Sequence, residues 1–265
     1  MSTKKRQLHK YLLLFATSLA TFTVSAQDDE VAKAQHTILG QNSAQVGVSV
    51  PAKNTHPDAQ WFPADGFGLF IHFGLAAVHG GIDLSWGMLA NKPWEDGEIT
   101  PTAYWKLADQ WNPNKFDAED IVSKAKKAGF KYIVFTTKHH DGYTMWPSKY
   151  SKYTVAQTPC KKDLLGEMVK AYNDEGIDVH FYFSVMDWSN PDYRYDIKSE
   201  EDEAAFARFL EFTDNQLKEL ATRYPTVKDF WFDGTWDASI KKNGWWTAHA
   251  EQMLKELVPG VRLTA

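Results

Sequence analysis

From Trp61 onward the chain alternates short apolar runs with amphipathic stretches. Residues 67–73 form a compact apolar run holding one histidine, His72. Residues 101–110 follow Thr100, an N-cap residue with Pro101 at the first helical position, and predict a helix. A second helix is predicted over 118–128, ended by Gly129. A β-rich run (131–137), a helical pattern (163–175) stopped by Gly176 and a further β-rich run (178–184) come next. Residues 200–223 make a long helical pattern with apolar Ala204, Phe206, Phe209, Leu210, Phe212 and Leu217. The run 228–232 is again short and apolar, 245–257 is helical, and 261–265 begins another strand.

Strand, loop, helix and strand in regular succession predict an α/β protein built of βαβ units around a mainly parallel sheet. Polar and aromatic residues cluster just after the strands: His72, His139-His140-Asp141, Trp188 and Asp233. That is where a barrel carries its chemistry. An open doubly wound sheet obeys a similar rule, but its dinucleotide-binding version needs a Gly-rich phosphate loop after the first strand, and none is present. The expectation is therefore a (β/α)8-like TIM barrel with about five of its eight strands in this chain. On that reading the chain is part of a longer protein.

The first residues stand apart. Lys4, Lys5, Arg6 and Lys10 precede a mostly apolar stretch over 11–24, and Val24-Ser25-Ala26 offers small residues before Gln27. This layout predicts a signal peptide over 1–26 and export to the periplasm or the cell exterior. The apolar run is short for a stable membrane anchor and is followed by Gln27-Asp28-Asp29-Glu30. Residues 27–58 carry no sustained period and read as a mobile lead-in, with one short strand at 45–50. The barrel domain is expected over 59–265.

Composition narrows the picture further. Hydrophobic residues at 43% and charged residues at 24% fit an ordinary folded globular protein. A net charge of -5 gives no electrostatic case for nucleic acid. One cysteine, Cys160, excludes an intramolecular disulfide or a cysteine metal cluster within this chain. The 11 tryptophans admit two readings, a Trp-rich core or a site that stacks on rings such as sugars.

Asp233 leaves an apolar run and precedes Gly234, so it suits either a nucleophile or base, or a turn cap. Asp141, before Gly142, reads as a turn residue. His139 and His140 would point to opposite sides of an extended segment, which disfavours a shared metal. In a loop both could donate to ligand oxygens. No His-X-His or His-X3-His spacing with a carboxylate occurs, and a Gly-X-Ser-X-Gly nucleophile elbow is also missing. His72, alone on an apolar strand, reads by itself as a core histidine.

Taken together, several motifs resemble the α-L-fucosidases of glycoside hydrolase family 29. They are Phe67-Gly68-Leu69-Phe70-Ile71-His72-Phe73-Gly74 and Thr136-Thr137-Lys138-His139-His140-Asp141-Gly142-Tyr143, the latter running on through Met145-Trp146-Pro147-Ser148-Lys149-Tyr150. Asp163-Leu164-Leu165-Gly166-Glu167, Phe181-Tyr182-Phe183-Ser184, Asp187-Trp188 and Trp231-Phe232-Asp233-Gly234 follow in the same order. The resemblance implies a retaining α-L-fucosidase acting on fucosylated glycans, with no metal or organic cofactor. Asp233 would be the nucleophile, and His72, Trp86, His139, His140, Tyr182 and Trp231 would surround the fucose ring.

Two departures from the family pattern stand out. Many relatives carry a Glu-Trp pair after the first strand where this chain has Ser85-Trp86, with Asp83 a weak substitute for the glutamate. No residue matches the family's acid/base glutamate; Glu251 and Glu256 lack its context, so that role is left unassigned. The chain ending at Ala265 is accordingly expected to be a poor fucosidase. Two other classes stay open: a carbohydrate-binding relative without turnover, and a metal-dependent barrel hydrolase using His72, His139 and His140.

Overall fold

The computed structural model describes Thr55 and residues 57–82, 84–88 and 99–264. The expected signal peptide, almost all of the lead-in with its strand at 45–50, and Asp83 lie outside the described residues.

Five strands form one sheet: β1 (Gly68–Ile71), β2 (Tyr132–Lys138), β3 (Asp178–Ser184), β4 (Val227–Asp233) and β5 (Arg262–Thr264). Every neighbouring pair is parallel, and spatial order equals chain order. A doubly wound sheet reverses its strand order partway. These five strands do not. β2 and β3 are buried along almost their whole length, as a parallel sheet covered on both faces requires.

Short helices α1 (Phe62–Asp65), α2 (Ala76–His79) and α3 (Pro101–Trp105) precede the longer α4 (Ala118–Lys127), α5 (Leu164–Glu175) and α6 (Glu200–Arg223). The short α7 (Ala238–Lys242) and the longer α8 (Gly244–Leu257) follow β4. The single helix expected over 101–110 is instead α3 followed by a 3-10 turn over Lys106–Gln110. Thr100 does cap it, accepting from the Ala103 N–H at 3.2 Å. α7 has no counterpart in the sequence reading; Asp237 starts it by accepting from the N–H groups of Ser239 and Ile240. On α6, Phe206, Phe209, Leu210 and Leu217 are buried as expected, whereas Ala204 is exposed and Ala205 takes its place in the core.

Glycines end two helices for a physical reason. Gly129 and Gly176 sit at φ +92° and +66°, where a side chain would clash with its own backbone. Acidic or hydroxyl side chains cap the starts of α3 to α7. Asp163 is the richest of them. Its Oδ1 accepts from the Gly166 N–H at 2.9 Å and the Tyr224 hydroxyl at 2.7 Å, and its Oδ2 from Arg223 Nη2 at 2.8 Å. It therefore joins the start of α5 to the end of α6. Replacing Asp163 by Ala should lower unfolding stability by about 1–3 kcal/mol. Asp117→Ala, which removes only the cap of α4, should stay near 1 kcal/mol. Urea midpoints of the two variants check the order; equal losses would show that the link to α6 contributes nothing.

The strand starts carry a buried polar layer beneath the site. Arg262 donates to His180 Nε2 at 3.0 Å, stacks over Trp61 at 3.9 Å and lies 3.8 Å from Asp229, which also accepts from Thr264. Among the described residues, no helix is long and apolar enough to cross a membrane.

Candidate active site

The candidate residues meet at the carboxyl ends of the strands. Asp233 closes β4, about one quarter exposed. Its Oδ2 accepts the Tyr182 hydroxyl at 2.6 Å, and its Oδ1 accepts the Gly234 N–H at 2.7 Å. His140 Nε2 stands 3.6 Å from Oδ2. A carboxylate so placed is held in one orientation by two donors and still faces solvent.

β2 ends at Lys138 with a register shift against β3, and the chain turns at once: the Gly142 N–H donates to the His139 carbonyl at 3.0 Å. His139 and His140 are therefore in a loop. Their rings lie side by side with centroids 4.2 Å apart, and they do not point to opposite sides as in an extended strand. Each is oriented by a serine. His139 Nδ1 pairs with the buried Ser85, and His140 Nδ1 with Ser184 Oγ at 2.6 Å. His72, exposed on the segment after β1, stacks on Phe70, contacts the Tyr182 ring edge-on, and is 3.1 Å from Thr136 Oγ1 through Nδ1. That hydroxyl gives its one proton to the Ile71 carbonyl, so His72 Nδ1 must be the protonated nitrogen.

The aromatic residues build the walls. Tyr182 lies between the rings of His139 and Trp231, stacked at 5.4 and 5.5 Å. Trp86 meets His140 edge-on at 5.0 Å and Trp188 at 5.2 Å, and stacks on the exposed Trp236 at 6.1 Å. All seven residues singled out from the sequence thus share one site. Ser85, Ser184, Phe70 and Trp236 were not singled out for these contacts; only the position of Trp236 three residues after Asp233 hinted at it. Asp141 takes its expected structural part, accepting from the Tyr143 N–H at 2.8 Å and the Tyr104 hydroxyl at 2.8 Å. Glu251 and Glu256 lie on the exposed face of α8, beside Lys255 and Gln252.

Burial sets the protonation of the site. It pulls His140 down to about 4, with Lys138 and His72 adding repulsion and Asp233 opposing them. His139 is pushed well below the ordinary histidine range by burial and by its two histidine neighbours. Burial, followed by the bond to Asp233, drives the Tyr182 phenol far upward, so it remains a donor. His139, His140 and Asp233 offer ligand atoms within 4.8 Å of one another and could hold a cation.

These shifts predict how stability depends on pH. The three lowered histidines (His139, His140 and His180) stay neutral in the fold while the unfolded chain protonates near 6.5. Their contribution is complete above 6.5 and is lost as pH falls toward 4. Asp141 and Asp229, raised by burial to about 6, act in the opposite sense and favour the fold as pH drops below 6. Three groups against two leave a net loss between pH 6.5 and 4. Urea midpoints across that range check the direction, and the Cε1 proton of His140 should titrate near 4.

Fold and site together define a parallel α/β protein whose sheet ends in a carboxylate ringed by imidazoles and aromatic rings. The chain belongs to the α-L-fucosidase family, whose model matches residues 34–264. It is 31% identical over 210 residues to an α-L-fucosidase of Dictyostelium discoideum, a match covering 73% of this chain and 45% of that protein. Among solved structures it resembles an α-L-fucosidase of glycoside hydrolase family 29 from Bacteroides thetaiotaomicron, at 64% identity and a TM-score of 0.70, covering 78% of this chain and 47% of that one. It also resembles α-L-fucosidase isoenzyme 1 of Paenibacillus thiaminolyticus, at 33% identity and a TM-score of 0.67, covering 78% and 49%. The chain thus spans less than half of each of these three proteins.

Proposed function

We propose that this chain carries the nucleophile and much of the sugar pocket of an exported, retaining α-L-fucosidase built on a (β/α)8 barrel, which removes terminal α-L-fucose from glycans. The observation that carries this reading is the convergence on Asp233 of Tyr182, His140 and His139, with His72 packed against the Tyr182 ring, in a chain of this family. Strand order equal to chain order supports the barrel. The basic, apolar and small-residue layout of the first 26 residues supports export.

In this reading Asp233 attacks the anomeric carbon as the C–O bond breaks and the leaving oxygen takes a proton from a second carboxyl group, and water, giving its proton back to that group, later releases the sugar from the glycosyl-enzyme. Tyr182 and the Gly234 N–H hold the attacking carboxylate in line. The neutral His139 imidazole can donate or accept at a ring hydroxyl; His140 gives its Nδ1 proton to Ser184 Oγ, whose own proton goes to the Met186 carbonyl, and so accepts at Nε2, while the aromatic walls suit the C6 methyl. The second carboxyl group, about 5–5.5 Å from the nucleophile in retaining enzymes, is not assigned to a described residue. A relative at 64% identity was trapped as a covalent intermediate with 2-fluoro-fucosyl fluoride, which supports the retaining course.

The test is to incubate the intact protein with 2-fluoro-fucosyl fluoride and map the label by mass spectrometry. Label on the peptide containing Asp233, with the α anomer as first product by proton NMR, is expected. A β product, or turnover with label elsewhere, would overturn the reading. His139→Ala or His140→Ala should each lower kcat/KM on an aryl α-L-fucoside by about 10- to 100-fold, because hydrogen bonds to the ring hydroxyls strengthen in the transition state. The three-donor cluster favours one rival, a metal-dependent hydrolase. Activity that survives EDTA decides against the rival, and activity that EDTA removes and zinc restores decides for it.

A further inference from the structure

Lys138 ends β2, one residue before His139, and its side chain is completely buried. An ammonium with no water around it is strongly unfavourable unless charged and polar partners reach it, and a methionine would fill the same volume without that penalty. The partners are specific. Nζ donates to Gln216 Oε1 on α6 at 3.0 Å, lies 3.4 Å from Asp187 Oδ2, and sits 4.5 Å from the centre of the Phe183 ring. The other oxygen of Asp187 accepts from the Ser189 N–H at 3.0 Å, the Ser189 hydroxyl at 2.6 Å and the Asn190 N–H at 3.1 Å. Asp187 therefore ties Lys138 to the turn over residues 187–190.

That turn leads back to the site. The Trp188 N–H donates to the His140 carbonyl at 2.8 Å, and the Trp188 ring lies 5.1 Å from the His140 ring. Gly142 closes the contact from the other side, since a Cβ there would overlap Asp187 Oδ1 and Ser189 Oγ. We propose that Lys138 is a positioning residue: through Asp187 it seats the 187–190 turn on the 139–142 turn, so that Trp188 holds the His140 ring beside Asp233. The inference rests on the fucosidase reading for its kinetic consequence, but its geometric consequence stands independently.

Lys138→Met in the intact protein tests it, with Phe212→Leu as the comparison. Phe212 also flanks the ammonium, 5.7 Å away, but its ring has no hydrogen bond to give to either turn. Lys138→Met should lower kcat on 4-nitrophenyl α-L-fucoside roughly ten- to hundredfold with KM changed less than about threefold, because a small misplacement harms the transition state more than binding. Phe212→Leu should lower the melting temperature and leave kcat unchanged. The ring-nitrogen and Cε1 NMR signals of His140 should move in Lys138→Met, while those of His180 stay. Wild-type kcat in folded Lys138→Met, an unmoved His140 signal, or an equal loss in Phe212→Leu would each overturn the proposal. If Lys138→Met does not fold, Asp187→Asn cuts the same link with volume preserved and is held to the same outcomes. Wild-type protein without fucosidase activity would refute the functional reading alone, and the histidine signals would still decide the positioning.

Discussion

Asp233→Asn should reduce turnover of aryl α-L-fucosides by about a thousandfold or more while the protein stays folded. The amide keeps the shape of the carboxylate but has almost no nucleophilicity. It also has one acceptor oxygen where Asp233 has two, so it cannot accept from both the Tyr182 hydroxyl and the Gly234 N–H as the carboxylate does. One donor is left without its partner, at a stability cost of about 1–3 kcal/mol, which a folded domain of this size tolerates. The loss should fall on kcat, with competitive binding of fucose retained, since the histidines and aromatic walls are untouched. A folded variant that turns over at the wild-type rate would remove Asp233 from the mechanism.

Gly142→Ala should be a severely damaging substitution. Gly142 stands at φ +79°, where a side chain is strained, and its added Cβ would overlap Asp187 Oδ1 and Ser189 Oγ. Neither neighbour can step aside freely, because Asp187 is held by three donors and by Lys138. Gly129→Ala provides the contrast: φ is +92° there too, but nothing lies within 4 Å. The first substitution should cost about 3 kcal/mol or more and also impair activity. The second should cost about 1 kcal/mol, the backbone strain alone. Denaturant midpoints for the pair measure the difference, and equal costs would mean that the two turns do not press on one another as described.

What was legible in the sequence was local. Thr100 marks a helix start and Gly129 and Gly176 mark ends, because capping and positive φ are decided within a few residues. The strands were readable as apolar runs between those marks. The seven site residues were readable mainly because long motifs occurred in family order; alone, Asp233 suited a turn cap almost as well as a functional carboxylate, and His72 read as a core histidine. Contacts between distant segments were hidden. Nothing near His139 in the sequence points to Ser85, and nothing near Lys138 points to Gln216. The turn that follows Lys138 makes neighbours of two rings that strand alternation would separate. Tryptophans occur in both the core and the candidate site. Trp111, Trp146 and Trp246 are core, while Trp86, Trp188, Trp231 and Trp236 line the site.

Strand order equal to chain order has a consequence for how the molecule is made. Each strand from β2 to β5 pairs with the strand synthesised immediately before it, across a single connection. A chain emerging residue by residue can therefore add one strand at a time to an edge that already exists, without waiting for distant sequence to arrive. The Tyr182 donor to Asp233 follows the same schedule. Tyr182 is laid down with β3 before Asp233 arrives with β4, so the carboxylate enters a niche whose hydroxyl is already in place.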